Sequence, residues 1–357
     1  MTPMRKQYHE AKSACGDALL LFRMGDFYEL FLDDAKVAAK VLGLTLTSRD
    51  KDSDNPTAMA GFPHHQLDAY LCKLIQAGHR AAVCEQVEDP KHAKGLVKRE
   101  ITRVVSAGTL TDDGLLDPRE ANYLASVVLH QPRKGKSSNT EITAGIAWAE
   151  LSSGRFCSGV FPASRIDDEL ERIGPAEVIY REDDATFSPD TTAPWSWTAR
   201  PAWSFAHDSS LESLRKQLGV SSLEGFGFQE DAAAAVRAAG AALVYLQETQ
   251  PGGLDHFKDL VAHHRSGVLE IDASTRRSLE MTRTLRTSSR SGSLVDAIDL
   301  TCTSAGSRLL ADWVAAPLID LDRIGDRHDA IGEFVHHATL RSDVRRALKQ
   351  TIDVTRL

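Results

Sequence analysis

Nothing in this sequence is long and apolar enough to cross a bilayer as a helix, which takes about 20 residues; the longest apolar runs, Ala18 to Phe22 and the Ala-rich Ala232 to Leu246, fall short. The opening Met1-Thr-Pro-Met-Arg-Lys-Gln-Tyr8 is polar and lacks the apolar core of a signal peptide. No membrane partner is expected, and the cytoplasm is the expected compartment. Cysteine is scarce: Cys15, Cys72, Cys84, Cys157 and Cys302 are scattered, with no C-x-x-C and no Cys/His pair at zinc-ligand spacing, so they read as reduced thiols. His64-His65 and His336-His337 also lack partner ligands, and no metal site is expected. Positive charge is not in excess, with 42 Lys and Arg against 50 Asp and Glu and a net charge of -8. That argues against a protein coating DNA with its whole surface, because phosphate contact rests on Lys and Arg; any DNA surface must be local. No G-x-x-x-x-G-K-[ST] occurs, so ATP hydrolysis cannot be assigned to this chain. Gly225-Phe-Gly-Phe228 lacks the third glycine of a dinucleotide loop and reads as a turn.

What is present is globular in character, with 42% hydrophobic and 26% charged residues over 357 positions, enough for two or three domains. Met4, Tyr8, Ala11 and Ala14 predict an opening helix, and Ala18 to Phe22 a buried strand bounded by Gly16-Asp17 and Gly25-Asp26. Helix follows at Asp33 to Leu42, strand at Leu44 to Thr47 and Thr57 to Ala60, helix from Leu67 to Gly78 and strand at Ala81 to Val87. Residues 1–116 are thus mixed α/β. A second α/β region, 117–253, opens on a hairpin of Tyr123 to Leu129 and Ile142 to Leu151, continues through helices at Asp167 to Ile173 and Leu211 to Leu218 and a strand at Glu177 to Tyr180, and closes on a long helix, Asp231 to Thr249, before Pro251-Gly-Gly253. Residues 254–357 are mainly α in pattern, with helix expected over Ser278 to Leu285, Leu294 to Val314 and Leu321 to His337. The helical run into Leu357 gives the expectation of a chain cut short.

The segment Phe22-Arg-Met-Gly-Asp-Phe-Tyr-Glu-Leu-Phe31 sets an aromatic and a carboxylate two residues apart after a glycine turn, on one face of an extended backbone. Two readings are open. Phe27 is core and Glu29 solvated surface, or Phe27 is a wedge between base pairs and Glu29 accepts a hydrogen bond from a base. Lys91-His-Ala-Lys-Gly-Leu-Val-Lys-Arg-Glu-Ile-Thr-Arg103 is locally basic, and is either a solvated face or a phosphate contact. A second cluster, Arg276, Arg277, Arg283, Arg286 and Arg290, carries no assignment.

Met24-Gly-Asp-Phe-Tyr-Glu29 resembles the mismatch-reading motif of MutS-type DNA mismatch-repair proteins. Ala58-Met-Ala-Gly-Phe-Pro-His64, Val83-Cys-Glu-Gln-Val-Glu-Asp-Pro90 and Ser106-Ala-Gly-Thr-Leu110 follow in the family's order. Leu151-Ser-Ser-Gly-Arg-Phe156 resembles its connector domain, and Asp272-Ala-Ser-Thr-Arg-Arg-Ser-Leu-Glu280 and Thr303-Ser-Ala-Gly-Ser-Arg308 the start of its core domain. The resemblance implies a mismatch-recognition domain over 1–116, an RNase-H-like connector over 117–253 and the beginning of a helical core or lever domain over 254–357, with the clamp and ATPase domains absent. It implies that Phe27 is the intercalating wedge, Glu29 the base-contacting carboxylate and Met24 a neighbour of the displaced bases. Beside that wedge, Arg49, Lys91, Lys94 and Arg99 are candidates for the DNA backbone. The implied partners are duplex DNA with mismatches or small loops, a second copy in a homodimer, and downstream repair factors; the implied compartment is the nucleoid region of the cytoplasm. ATP and Mg belong to the full-length family, and no cofactor is expected in this chain. Two other functions compete. A nuclease would need several convergent carboxylates holding two metals, and Glu150 on its expected strand has no identifiable partners. A scaffold without DNA binding would be separated from the mismatch-binding reading by a gel shift on mismatched and matched duplexes.

Overall fold

In a computed structural model, residues 3–48, 56–88, 95–111, 115–131, 142–263 and 267–356 are described. The chain forms two compact units, Met1–Leu116 with Val244–Asp255, and Asp117–Leu243 with His256–Leu357.

The first unit is a mixed sheet with both faces buried, and the apolar run of its central strand shows why. In β1 (Leu19–Met24), Leu19 and Leu21 enter one core while Leu20 and Phe22 enter another. Such a run suits a strand covered on both sides. β1 pairs antiparallel with β2 (Phe27–Phe31) and parallel with β5 (Ala81–Gln86); β3 (Thr47–Ser48), β4 (Ala58–Pro63) and β6 (Arg99–Val105) complete the order β3-β4-β2-β1-β5-β6. α1 (Pro3–Cys15) covers the face of Leu20 and Phe22, with Tyr8 edge-on to Phe22 and Phe31 at 5.6 and 5.0 Å. α2 (Leu32–Leu42) and α3 (Leu67–Gln76) cover the other. Asp34 of α2 is buried, takes the Leu20 N–H at 2.9 Å and pairs with Lys12 at 2.9 Å, so the carboxylate is satisfied. The expected strand at Leu44 is realised only as Thr47–Ser48, and β6 was hidden in a segment that reads as a basic stretch.

The second unit is built on the sheet order β11-β10-β7-β8-β9-β12, from β7 (Tyr123–His130), β8 (Thr143–Glu150), β9 (Arg155–Pro162), β10 (Glu177–Arg181), β11 (Ser196–Arg200) and β12 (Val261–Ala262). The expected hairpin is β7–β8, with Tyr123 opposite Glu150. α4 (Ile166–Ile173) packs on one face over Ile146, Trp148 and Val178; α5 (His207–Leu218) precedes the long α6 (Ala233–Thr249), of which the residues up to Leu243 belong to this unit. Gly145 on β8 faces α6 so closely that a Cβ there would lie 1.9 Å from the Ala234 carbonyl oxygen, and the Ser158 hydroxyl donates to the Ala235 carbonyl at 2.9 Å.

The remaining helices are α7 (Ala273–Ser278), α8 (Leu294–Ile298), α9 (Ser304–Ala315), α10 (Leu321–His336) and α11 (Ala338–Leu348). Two expected helices are interrupted. Helix does not continue over Ser278 to Leu285, because Glu280 takes a left-handed φ of 46° and its carboxylate accepts the Leu285 N–H at 2.7 Å. The expected helix from Leu294 to Val314 breaks at Asp299, whose side chain accepts from Thr301, and restarts where Thr303 caps Gly306. At Asp299 and Thr303 short polar side chains offer the backbone an alternative to the helix ladder. Arg308 of α9, Arg290 in the bend before α8 and Arg356 in the tail grip residues 117–120. The carbonyls of Asp117, Pro118, Arg119 and Glu120 accept from Arg356, Arg308, Arg290 and Arg356 in turn.

Candidate nucleic-acid interface

The segment singled out by its glycine turn, aromatic and carboxylate folds as the hairpin β1–β2. Met24 pairs with Phe27 across the two residues Gly25 and Asp26, and Gly25 carries φ 58°. A positive φ at the first of two turn residues is where a tight hairpin takes glycine. Directly opposed residues of an antiparallel pair point to the same side. Met24, Phe27 and Glu29 are therefore brought to one face, together with Phe22 opposite Glu29. Along this face of β2 the cover of α1 runs out: Phe31 is 5% exposed, Glu29 intermediate and Phe27 47% exposed. Tyr28 and Leu30, on the reverse side, are fully buried. Thus Phe27 is not core, while Met24 packs partly against the Tyr8 and Phe22 cluster.

A single exposed apolar side chain is ordinary on a protein surface; what sets Phe27 apart is how firmly its turn is tied. The His64 N–H donates to the Asp26 carbonyl at 2.8 Å, and the His64 ring Nδ1 lies 3.1 Å from the same oxygen. Arg23 Nε donates to the Gly25 carbonyl at 2.5 Å. Arg99 Nε donates to the Arg23 carbonyl at 2.7 Å. On the reverse side the Tyr28 hydroxyl donates to Glu85, and Arg23 lies 3.6 Å from that carboxylate. Burial, then Glu85, pushes the Tyr28 phenol well above its ordinary pKa and keeps it a donor.

Arg99 was expected at the DNA backbone, but its guanidinium also donates to Gln7 Oε1 and Val97 O and sits 5.1 Å over the Phe22 ring. Three of its N–H donors thus serve the domain itself, and burial pulls its pKa below the ordinary arginine value. The other backbone candidates, Arg49, Lys91 and Lys94, lie outside the described residues.

β4 supplies residues that sequence reasoning passed over. Gly61 lies directly opposite Glu29 and Pro63 opposite Phe27. A side chain at Gly61 would crowd Glu29, and Pro63 and Met24 flank Phe27 on either strand. The motif Ala58 to His64 was visible in the sequence, but no signal in a single sequence pairs it with β2.

Glu150 is 3% exposed, and its carboxylate is taken by Arg356 at 2.9 Å, the Ser153 hydroxyl at 2.7 Å and the Asn122 N–H at 3.4 Å. Among the described residues no group of three or more His, Cys, Asp or Glu side chains could hold a metal ion, and no helix is long and apolar enough to cross a membrane. Residues Glu224–Phe226 form a short 3-10 turn ended by Gly227 at φ 88°, as the Gly-Phe-Gly-Phe pattern suggested.

Residues 2–114 match the family model MutS domain I, residues 122–258 MutS domain II, and residues 274–357 MutS domain III. The chain is 67% identical over its whole length to the DNA mismatch repair protein MutS of Rhodopirellula baltica, covering 41% of that protein. It is 40% identical to the MutS of Symbiobacterium thermophilum and 36% to that of Halothermothrix orenii, covering 40% and 39% of them. It therefore spans about two-fifths of the length of the curated relatives it matches.

Proposed function

Because the chain belongs to the MutS family, whose members it matches along its full length, we propose that it serves DNA mismatch repair by recognising mismatched or looped-out base pairs in duplex DNA. Phe27 is the wedge, Glu29 the carboxylate that meets a displaced base, and Met24 the apolar neighbour of both. The observation that carries this reading is a half-exposed aromatic on a turn whose carbonyls at Gly25 and Asp26 are both held by other side chains or strands. A wedge already fixed in place loses little conformational freedom on insertion. A mispaired step stacks poorly, so kinking it and parting its bases costs less than the few kcal/mol a paired step demands. Deformability is read, and sequence is not.

On this reading 1–116 carries recognition, 117–253 is the connector and 254–357 begins the core domain. Phosphate contact falls to Arg49, Lys91 and Lys94 more than to Arg99, whose donors are engaged. The homodimer, the ATP- and magnesium-dependent steps, the downstream repair partners and the cytoplasmic, nucleoid-associated setting belong to the same proposal.

The test is the affinity of the protein for a G·T or single-base-loop duplex against its matched control, at stated salt, before and after Phe27→Ala. Stacking an aromatic on a base is worth about 1–3 kcal/mol, so the two affinities should converge in the variant. A folded Phe27→Ala protein that discriminates as before would overturn the wedge.

A further inference from the structure

The turn that carries Phe27 is held from the neighbouring strand by one residue acting twice. His64 follows Pro63, the last residue of β4, and its N–H extends the β2–β4 ladder one step beyond the Phe27–Pro63 pair to the Asp26 carbonyl at 2.8 Å. Its side chain folds back so that ring Nδ1 lies 3.1 Å from the same oxygen. A carbonyl oxygen has two lone pairs and can only accept, so this contact requires the hydrogen on Nδ1. The ring is half-buried, edge-on to His65 at 5.9 Å. Asp26 precedes the aromatic directly. Fixing its carbonyl against two donors fixes the peptide plane that joins Asp26 to Phe27, and with it the direction in which the Phe27 side chain leaves the sheet.

We infer that the His64 imidazole is a positioning residue for mismatch recognition: by donating from Nδ1 to the Asp26 carbonyl it holds the Phe27 ring in the pose that enters the duplex. The inference rests on the wedge reading of Phe27. Arg23 reaches only the preceding carbonyl, at Gly25, so the ring of His64 is the one side chain bonded to Asp26 O among the described residues. Without the ring the turn keeps the His64 N–H on the Asp26 carbonyl and Arg23 on the Gly25 carbonyl, but the Asp26 carbonyl loses its second donor.

The test compares the intact protein with His64→Leu, which removes the donor and keeps apolar bulk, and His64→Asn, whose amide can donate from nearly the position of Nδ1. Two readouts are needed. Without DNA, amide hydrogen exchange over 25–28 should accelerate in His64→Leu by roughly fivefold, the effect of one net hydrogen bond. With DNA, the ratio of mismatched to matched affinity should fall by a similar factor, and His64→Asn should restore both to within about twofold. Unchanged exchange in His64→Leu would show that the ring does not hold the turn. Faster exchange with an undiminished affinity ratio would show that the held turn does not position the wedge, and failure of His64→Asn to restore either readout would rule out the donor role. If the unmodified protein itself shows no discrimination, the wedge reading fails, while the exchange comparison still decides whether His64 fixes the turn.

Discussion

Gly61 and Glu29 lie directly across from one another on β4 and β2, and a Cβ added at Gly61 would come within 2.8 Å of the Tyr28 carbonyl oxygen and 3.3 Å of Glu29 Cγ. The bare glycine gives Glu29 the room to lie along the sheet face. Gly61→Ala should therefore displace the Glu29 side chain and strain β2, at a cost of about 1–3 kcal/mol for an overpacked site. The expected result is a lower urea midpoint together with reduced mismatch discrimination, both stronger than for an alanine at the unhindered Gly225. Equal stability of Gly61→Ala and the unmodified protein would show that β4 can yield.

Glu150 and Arg356 form a buried pair, with 4% and 8% of their side chains exposed. Glu150→Gln keeps the shape and one acceptor but leaves the guanidinium without a counter-charge, and breaking such a pair costs about 3–5 kcal/mol. The unfolding midpoint should drop accordingly with the denaturant slope unchanged. By contrast Glu270→Gln, which breaks the exposed pair with Arg165, should cost under about 1 kcal/mol. Comparable losses in the two variants would mean that Arg356 reaches water.

Much of the fold was legible because burial follows period. Leu19 to Phe22, Tyr123 to Leu129 and the stripe from Leu67 to Ile75 announce their elements by spacing alone. β6 was not, since Arg99 and Arg103 lie on an edge strand where charge is tolerated, and that charge masks the alternation. The breaks at Glu280 and Asp299 depend on side-chain to backbone bonds that only the folded chain reveals. At the candidate site, Phe27 and Glu29 were visible as a local pattern, whereas Gly61, Pro63 and His64 reach them through a pairing some 34 residues away in sequence, Phe27 with Pro63 being 36 apart and Glu29 with Gly61 being 32 apart. Arg99 was proposed for the DNA backbone from local charge, and what charge could not reveal is that this partly buried guanidinium also bonds the Arg23 and Val97 carbonyls and Gln7.

Asp299 should make the second unit sensitive to acid. Burial alone would raise its pKa, but hydrogen bonds from Ser307 and Thr301 and the charge of Arg290 at 2.6 Å hold it down to about 2. An unfolded aspartate titrates near 3.9. The folded value is the lower one, so the stabilisation is complete above pH ~4 and is lost as pH falls from there toward 2, by about 2 kcal/mol. In Asp299→Asn this part of the pH dependence should disappear and overall stability should be lower at pH 7. An identical acid profile in that variant would assign the loss to other carboxylates.

The final prediction separates charge from shape at the wedge. Glu29→Gln keeps length and an acceptor oxygen while removing a negative charge from a face proposed to meet DNA. Repulsion between that carboxylate and the phosphates is on the order of 1 kcal/mol at a partly exposed site. Matched-duplex affinity should therefore hold level or tighten by up to about fivefold, and the gain should shrink as added salt screens the charges. Mismatch affinity gains less, because a carboxylate is the stronger acceptor for a base N–H. The ratio thus narrows from the matched side, whereas Phe27→Ala narrows it from the mismatched side. Binding titrations of both variants on both duplexes at two salt concentrations distinguish these routes. If Glu29→Gln weakened both complexes equally, its carboxylate would be supporting the hairpin and would have no part in choosing between base pairs.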